Sequence, residues 1–188
     1  MTKLRTLPEN SKSAKPKIRK ARKITPDYLH NASLYYLGRF SASTGSLRRV
    51  LIRRVDKAVK EGISERESAI KMVEDLLAQF NRAGLLNDKL YAQGLTRSLR
   101  RKGASKKQIQ AKLYQKQIDR NLIRASLETE EGRDELSAAK KLAQKRKWGP
   151  YRGRSDQEAD RKDLARLARA GFSYDICRQI ISLKEDDA

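Results

Sequence analysis

Apolar residues in this chain recur at the three- and four-residue intervals of a helix face. Ile70, Val73, Leu76, Leu77 and Phe80 form one such face, Ile118, Leu122, Ile123 and Leu127 another, and Leu136, Ala139, Leu142 and Ala143 repeat the pattern within 133–147. No stretch alternates with period two for long enough to suggest a strand. Thr25-Pro26-Asp27 combines an N-cap, a proline at the first helical position and an acid in the first turn, which predicts a first helix running to about Arg39. Ser64-Glu65-Arg66-Glu67, Ser105-Lys106-Lys107-Gln108 and Ser155-Asp156-Gln157-Glu158 each fit the reciprocal capping box, so three more helices are expected to begin there. Gly62, Gly84, Gly103 and Gly171 each follow an amphipathic run, where a left-handed residue ends a helix without steric cost. The chain therefore reads as all-α, with about nine helices.

The pattern repeats. Leu37-Gly38-Arg39-Phe40-Ser41-Ala42-Ser43, Leu99-Arg100-Arg101-Lys102-Gly103-Ala104-Ser105 and Leu167-Ala168-Arg169-Ala170-Gly171-Phe172-Ser173 stack on one template. Leu47/Leu51, Ile109/Leu113 and Cys177/Ile181 follow at the same offsets. Each unit is read as a helix, a tight turn and a second helix, with a third helix after the first two units and the segment 133–147 opening the last. The spacing between units exceeds that of common solenoids, which places insertions around 56–66 and 147–155. The expected architecture is three tandem three-helix repeats in an elongated, curved array, with repeats at 24–86, 87–131 and 132–188, the last ending in a short acidic C-terminus.

Charge adds a partner class to this picture. Only 38% of residues are hydrophobic and 36% are charged, and 44 Lys and Arg against 23 Asp and Glu give a net charge of +21. Such an excess points to a polyanion, or to a partner carrying one, and away from a neutral metabolite. Residues 1–23 hold nine of the basic side chains against one acid, Glu9, and too little apolar surface to offset ordering, so they are read as a disordered basic arm. No apolar run approaches the roughly 18 residues of a membrane span, and the N-terminus lacks a secretory apolar stretch, so a cytoplasmic protein is expected. Cys177 is the single cysteine and His30 the single histidine, which leaves no intramolecular disulfide and no metal or cofactor set. His30 reads as a structural or surface residue, and Cys177 as a small core hydrophobe. Without clustered carboxylates or a His pair, no catalytic constellation emerges and the chain is read as a non-enzyme.

Candidate binding residues fall in three basic clusters: Arg48, Arg49, Arg53 and Arg54; Arg97, Arg100, Arg101, Lys102, Lys106 and Lys107; and Lys145, Arg146 and Lys147. Acids able to pair at i±4 are scarce around them. Arg39, Arg101 and Arg169 stand at one template position, and either cap the carbonyls that end the preceding helix or bind a partner. Trp148, Tyr151, Arg152 and Arg154 lie in a basic loop whose aromatics either stack on bases or a partner, or staple two helices.

The stacked motifs, with Tyr28-Leu29, Gly84-Leu85-Leu86-Asn87-Asp88, Tyr91-Ala92 and the closing Arg169-Ala170-Gly171-Phe172-Ser173, resemble the RecX family of recombinase regulators over roughly 25–185. The resemblance implies an array of three-helix repeats that binds RecA filaments on single-stranded DNA; the net charge adds double-stranded DNA as a further expected ligand. The resemblance also implies a regulator that suppresses strand exchange, ATP hydrolysis and coprotease activity; the fold reading separately predicts a monomer. The competing expectation is an autonomous DNA-binding protein built from helix-turn-helix-like units, in which Leu167, Gly171 and Ile180 have that motif's coarse spacing.

Overall fold

The computed structural model describes residues 21–129, 134–153 and 156–183. Among them are nine α-helices, one short 3-10 helix and no strand. The first unit comprises α1 (Pro26–Leu37), α2 (Thr44–Lys60) and α3 (Arg66–Arg82). The second comprises α4 (Asp88–Arg101), α5 (Lys106–Gln115) and α6 (Arg120–Leu127). The third comprises α7 (Glu135–Arg146), the 3-10 helix Gly149–Arg152, α8 (Gln157–Arg169) and α9 (Tyr174–Ile181). Each unit has its own small core, and α3, α6 and α9 pack against both other helices of their unit.

Helix starts follow side-chain capping. Thr25 accepts from the Tyr28 N–H, and Ser105 with Gln108 forms the complete capping box. Two expected starts move by one residue. Glu65, not Ser64, caps α3, its carboxylate accepting from Glu67 and Ser68, while Ser64 Oγ accepts from the Ile24 N–H at 2.9 Å. Asp156 caps α8, and Ser155 lies outside the described residues. The expected arm is also shorter than 1–23 at its inner end: residues 1–20 lie outside the described residues, but the Ala21 N–H donates to Glu61 at 2.8 Å and Ile24 is buried in the first core. The extra length expected as an insertion at 56–66 is instead the end of α2, which has 17 residues where α5 has 10, and the turn beyond it.

Two equivalent joints connect the units. Ser43, the N-cap of α2, donates its hydroxyl to the Lys116 carbonyl of the second unit at 2.6 Å, and Ser105, the N-cap of α5, donates to the Ala170 carbonyl of the third, also at 2.6 Å. The next amide is closed by a carboxylate from the following unit's first helix: Thr44 N–H by Asp88 at 2.8 Å, Lys106 N–H by Glu135 at 3.0 Å. Lys116 and Ala170 are the C-caps of α5 and α8, and the residues after them, Gln117 and Gly171, both have positive φ. The α8 helix is thus the counterpart of α5. The third copy of the heptapeptide template sits between the second and third helices of its unit, as 133–147 opening that unit requires, and is not equivalent to the first-to-second turns with which the template aligns it. Cys177 still falls in the core, equivalent to Ile123 of α6 rather than to Ile109, and burial pushes its thiol pKa up. Leu136 points outward, and Ala138, Ala139 and Ala143 form the buried face of α7. His30 sets its ring edge-on against Phe80 with centroids 5.5 Å apart, a packing role.

Gly103 sits at a close approach of backbones in the second joint: a Cβ there would lie 2.9 Å from the Leu142 backbone nitrogen and 3.0 Å from the Ala138 carbonyl, at φ +79°. Gly84, at φ +72°, has nothing within 4 Å of the same position. Gly84→Ala is expected to cost about 1–2 kcal/mol from the left-handed backbone alone. Gly103→Ala should cost about 1–3 kcal/mol more, because α7 must be displaced. Chemical denaturation of the two variants checks this, and equal midpoints would contradict the close approach of the units.

Candidate nucleic-acid and filament interface

The α2 helix buries Leu47, Leu51, Val55 and Ala58, which turns its four arginines outward in different directions. Arg48 pairs with Glu74 at 2.6 Å. Arg49 crosses to the second unit and donates to the Gln115 carbonyl at 2.9 Å, and the exposed Arg53 donates to the Arg49 carbonyl at 3.3 Å. Arg54 donates to the Tyr28 hydroxyl at 2.9 Å with its guanidinium carbon 5.8 Å from that ring. The sequence-level cluster is therefore four separate environments.

Arg100 does not belong to the binding set. It is only 5% exposed, donates to the Ala104 carbonyl at 2.9 Å, and pairs with Glu135 at 2.6 Å across the second joint. Its position follows from the buried stripe of α4, since Ala92, Thr96 and Arg100 recur every fourth residue. Its neighbours turn the other way. Arg97, Arg101 and Lys102 at the end of α4, and the side chains of Lys106 and Lys107 at the start of α5, are exposed and make no ion pair among the described residues. These five cations stand on both sides of one turn, beside the joint with the third unit. The template arginines diverge likewise: Arg169 donates to the Ala165 carbonyl at 3.3 Å, Arg101 is free among the described residues, and Arg39 donates to the Tyr35 hydroxyl at 2.8 Å.

The loop after α7 is a staple, the second of the two readings that the sequence left open for it. Trp148 and Tyr151 are half-buried against the third core. Asp163, fully buried on α8, accepts from the Gly149 N–H at 2.9 Å, from Arg166 at 2.7 Å and from Arg152, which also lies 3.6 Å from Asp160. Arg166 in turn lies over the Trp148 ring at 6.0 Å. Burial pushes the Asp163 carboxyl up, but the Gly149 amide and the Arg166 and Arg152 guanidinium groups outweigh it and hold the pKa below the ordinary value. Lys145, Arg146 and Lys147 are exposed at the end of α7, and Arg154 lies outside the described residues. No sequence motif marks Asp163, because two of its three partners, Gly149 and Arg152, come from a loop earlier in the chain; an acid in line with Leu167 on the buried side of α8 was the available signal.

Among the described residues no group of three His, Cys, Asp or Glu side chains is placed to hold a metal ion, and no helix is long and apolar enough to cross a membrane. Fold and surface together define a class: a tandem three-helix-repeat protein with a strongly cationic surface. The profile of the second three-helix domain of RecX matches residues 87–127, the span of α4 to α6. Regulatory protein RecX of Myxococcus xanthus is 41% identical over 178 residues, which cover 93% of this chain and 94% of that protein. Regulatory protein RecX of Agrobacterium fabrum is 28% identical, covering 86% and 85%. The crystal structure of RecX from Lactobacillus salivarius superposes with a TM-score of 0.59 at 26% identity, covering 83% of this chain and 94% of that one. The chain belongs to the RecX family of regulatory proteins.

Trp148 is the chain's single tryptophan and so reports on the staple. A carboxyl whose folded pKa lies below its unfolded value stabilises the fold above the unfolded pKa, near 3.9, and loses that contribution as pH falls through the folded one. Below about pH 4 the Trp148 emission is expected to shift to the red in the parent chain. In Asp163→Asn the tryptophan should already be red-shifted at pH 7, with no further acid step; a blue, buried emission in that variant would show that the carboxylate does not hold the loop.

Proposed function

We propose that this protein is a cytoplasmic, monomeric, non-enzymatic regulator that binds a RecA recombinase filament on single-stranded DNA and lowers its strand-exchange, ATPase and coprotease activities. The observation that carries the reading is the cation set Arg97, Arg101, Lys102, Lys106 and Lys107, unpaired among the described residues and lying within the RecX domain match. Membership of the RecX family supports it. Phosphates held in a filament groove are the complement of such a set, because each neutralised phosphate releases condensed counterions. Lys145, Arg146 and Lys147 extend the cationic surface onto the third unit, and Arg53 onto the first. Units bounded at 24–86, 87–131 and 132–188 would then bridge neighbouring protomers and hold the filament in a state unfavourable to turnover.

Arg97→Glu with Arg101→Glu is expected to weaken binding to RecA filaments at least tenfold at low salt and to flatten the slope of log K against log salt, with stability changed by less than about 0.5 kcal/mol. Arg100→Ala, by contrast, strands Glu135 in a buried joint and should destabilise the fold by about 3 kcal/mol or more. Inhibition of the RecA ATPase, followed across salt beside binding to bare DNA, tests the regulatory reading. Inhibition that disappears together with bare-DNA affinity, and extends equally to an unrelated single-strand-dependent ATPase, would make the protein an autonomous DNA binder instead.

A further inference from the structure

The first unit carries an aromatic and cationic strip that the phosphate contacts leave unused. Leu29 and Ser33 anchor α1 in the core, which leaves Tyr28, Asn31, Ala32 and Tyr35 along one side of the helix. With Arg54 and Lys57 from α2 and Arg22 from the segment before α1, they line an open groove of about 820 Å³. Among the described residues no carboxylate lines it; the adjoining Glu61 accepts from the Ala21 N–H at 2.8 Å and lies 3.8 Å from Lys57.

Beyond the groove the strip is built in advance. The Arg39 guanidinium carbon lies 5.6 Å from the Tyr35 ring and 5.9 Å from the Phe40 ring, while Arg39 donates to the Tyr35 hydroxyl. Phe40 leans on Tyr36 with centroids 5.3 Å apart, and its surroundings also include a separate recess shared with Leu85 and Leu90. Even so, Tyr35 is 66% and Phe40 53% exposed. Isolated exposed apolar residues are ordinary. Two rings held about an arginine, continuous with a groove lined among the described residues by three cations and no acid, match the combination that grips a single strand: π-faces for bases and positive charge for the backbone.

We propose that Tyr35, Arg39 and Phe40, with the groove of Tyr28 and Arg54, form a stacking site for the unpaired bases of single-stranded DNA. The site rests on the reading that this protein meets single-stranded DNA, and it deepens that reading by dividing the contacts. Arg97, Arg101 and the adjoining lysines hold phosphates, and the first unit holds bases. A duplex keeps its bases stacked inside and cannot satisfy the strip, so the site selects single strands without reading their sequence.

The test uses the full chain and two fluorescent oligomers with equal numbers of phosphates, one oligothymidylate and one abasic, titrated by anisotropy across salt. The parent protein should bind oligothymidylate at least tenfold more tightly than the abasic strand. Tyr35→Ala with Phe40→Ala should erase that ratio while leaving abasic affinity and its salt slope unchanged. Tyr35→Phe, which keeps the ring and loses the hydroxyl, should retain the ratio, and Arg97→Glu with Arg101→Glu should lower both affinities and retain it. Equal affinity of the parent for the two oligomers, or a ratio untouched by Tyr35→Ala with Phe40→Ala, overturns the proposal. If that double variant lowers filament affinity while the parent never distinguished the strands, the strip docks a protein surface instead. RecA filament inhibition persisting in either case leaves the regulatory reading intact, whereas loss of filament binding by the parent would sink both.

Discussion

Everything in this molecule depends on closing the exposed amides and carbonyls at its helix ends, and the way α2 and α5 close theirs is what makes three small bundles one array. The Ser43 and Ser105 side chains each cap their own helix and donate outward to the carbonyl that ends a helix in the next unit. Asp88 and Glu135, at the starts of α4 and α7, accept the neighbouring amides of Thr44 and Lys106. Those carboxylates sit near helix N-termini at both ends of the contact, where partial positive charge favours them. With 38% hydrophobic residues divided among three cores, satisfied polar joints carry much of the inter-unit specificity that a larger apolar interface would otherwise supply.

The same joints sort the charges. At the second joint Arg100 is drawn inward to Glu135, and the adjacent Arg101 is left outside without an ion pair among the described residues. One residue of helix rotation, 100°, separates a structural strut from a surface cation. In the third unit Asp163 performs a similar selection, holding Arg152 and Arg166 and fixing the loop that carries Trp148. What remains outward is a cation set around the α4–α5 turn, the end of α7, and the aromatic strip of α1. Phosphates and bases ask for different surfaces, and this fold presents the two kinds on different units.

The all-helical class, the helix starts at Thr25 and Ser105 and the left-handed glycines were legible in the sequence because each depends on residues within one turn of one another. Which turns of the three units are equivalent was not. A left-handed residue followed by an N-cap serine looks alike at any helix-to-helix turn, and in the second unit the true counterpart of Gly171 is Gln117, which breaks the glycine pattern. Only the bond from Ser105 to Ala170, spanning 65 residues, distinguishes the alternatives.

For the candidate site the division is similar. That the surface would be strongly cationic, and that Arg97, Arg101, Lys102, Lys106 and Lys107 would stand near a turn between helices, followed from the sequence, since composition and helical periodicity are properties of the chain itself. Which cations stay free was decided by tertiary structure, because the partners that remove Arg100 and Arg152 from the surface lie 35 and 11 residues further along the chain. The stacking strip belongs to both levels. Tyr35, Arg39 and Phe40 are local neighbours at the end of α1, but the groove that continues them exists only because α2 brings Arg54 and Lys57 alongside.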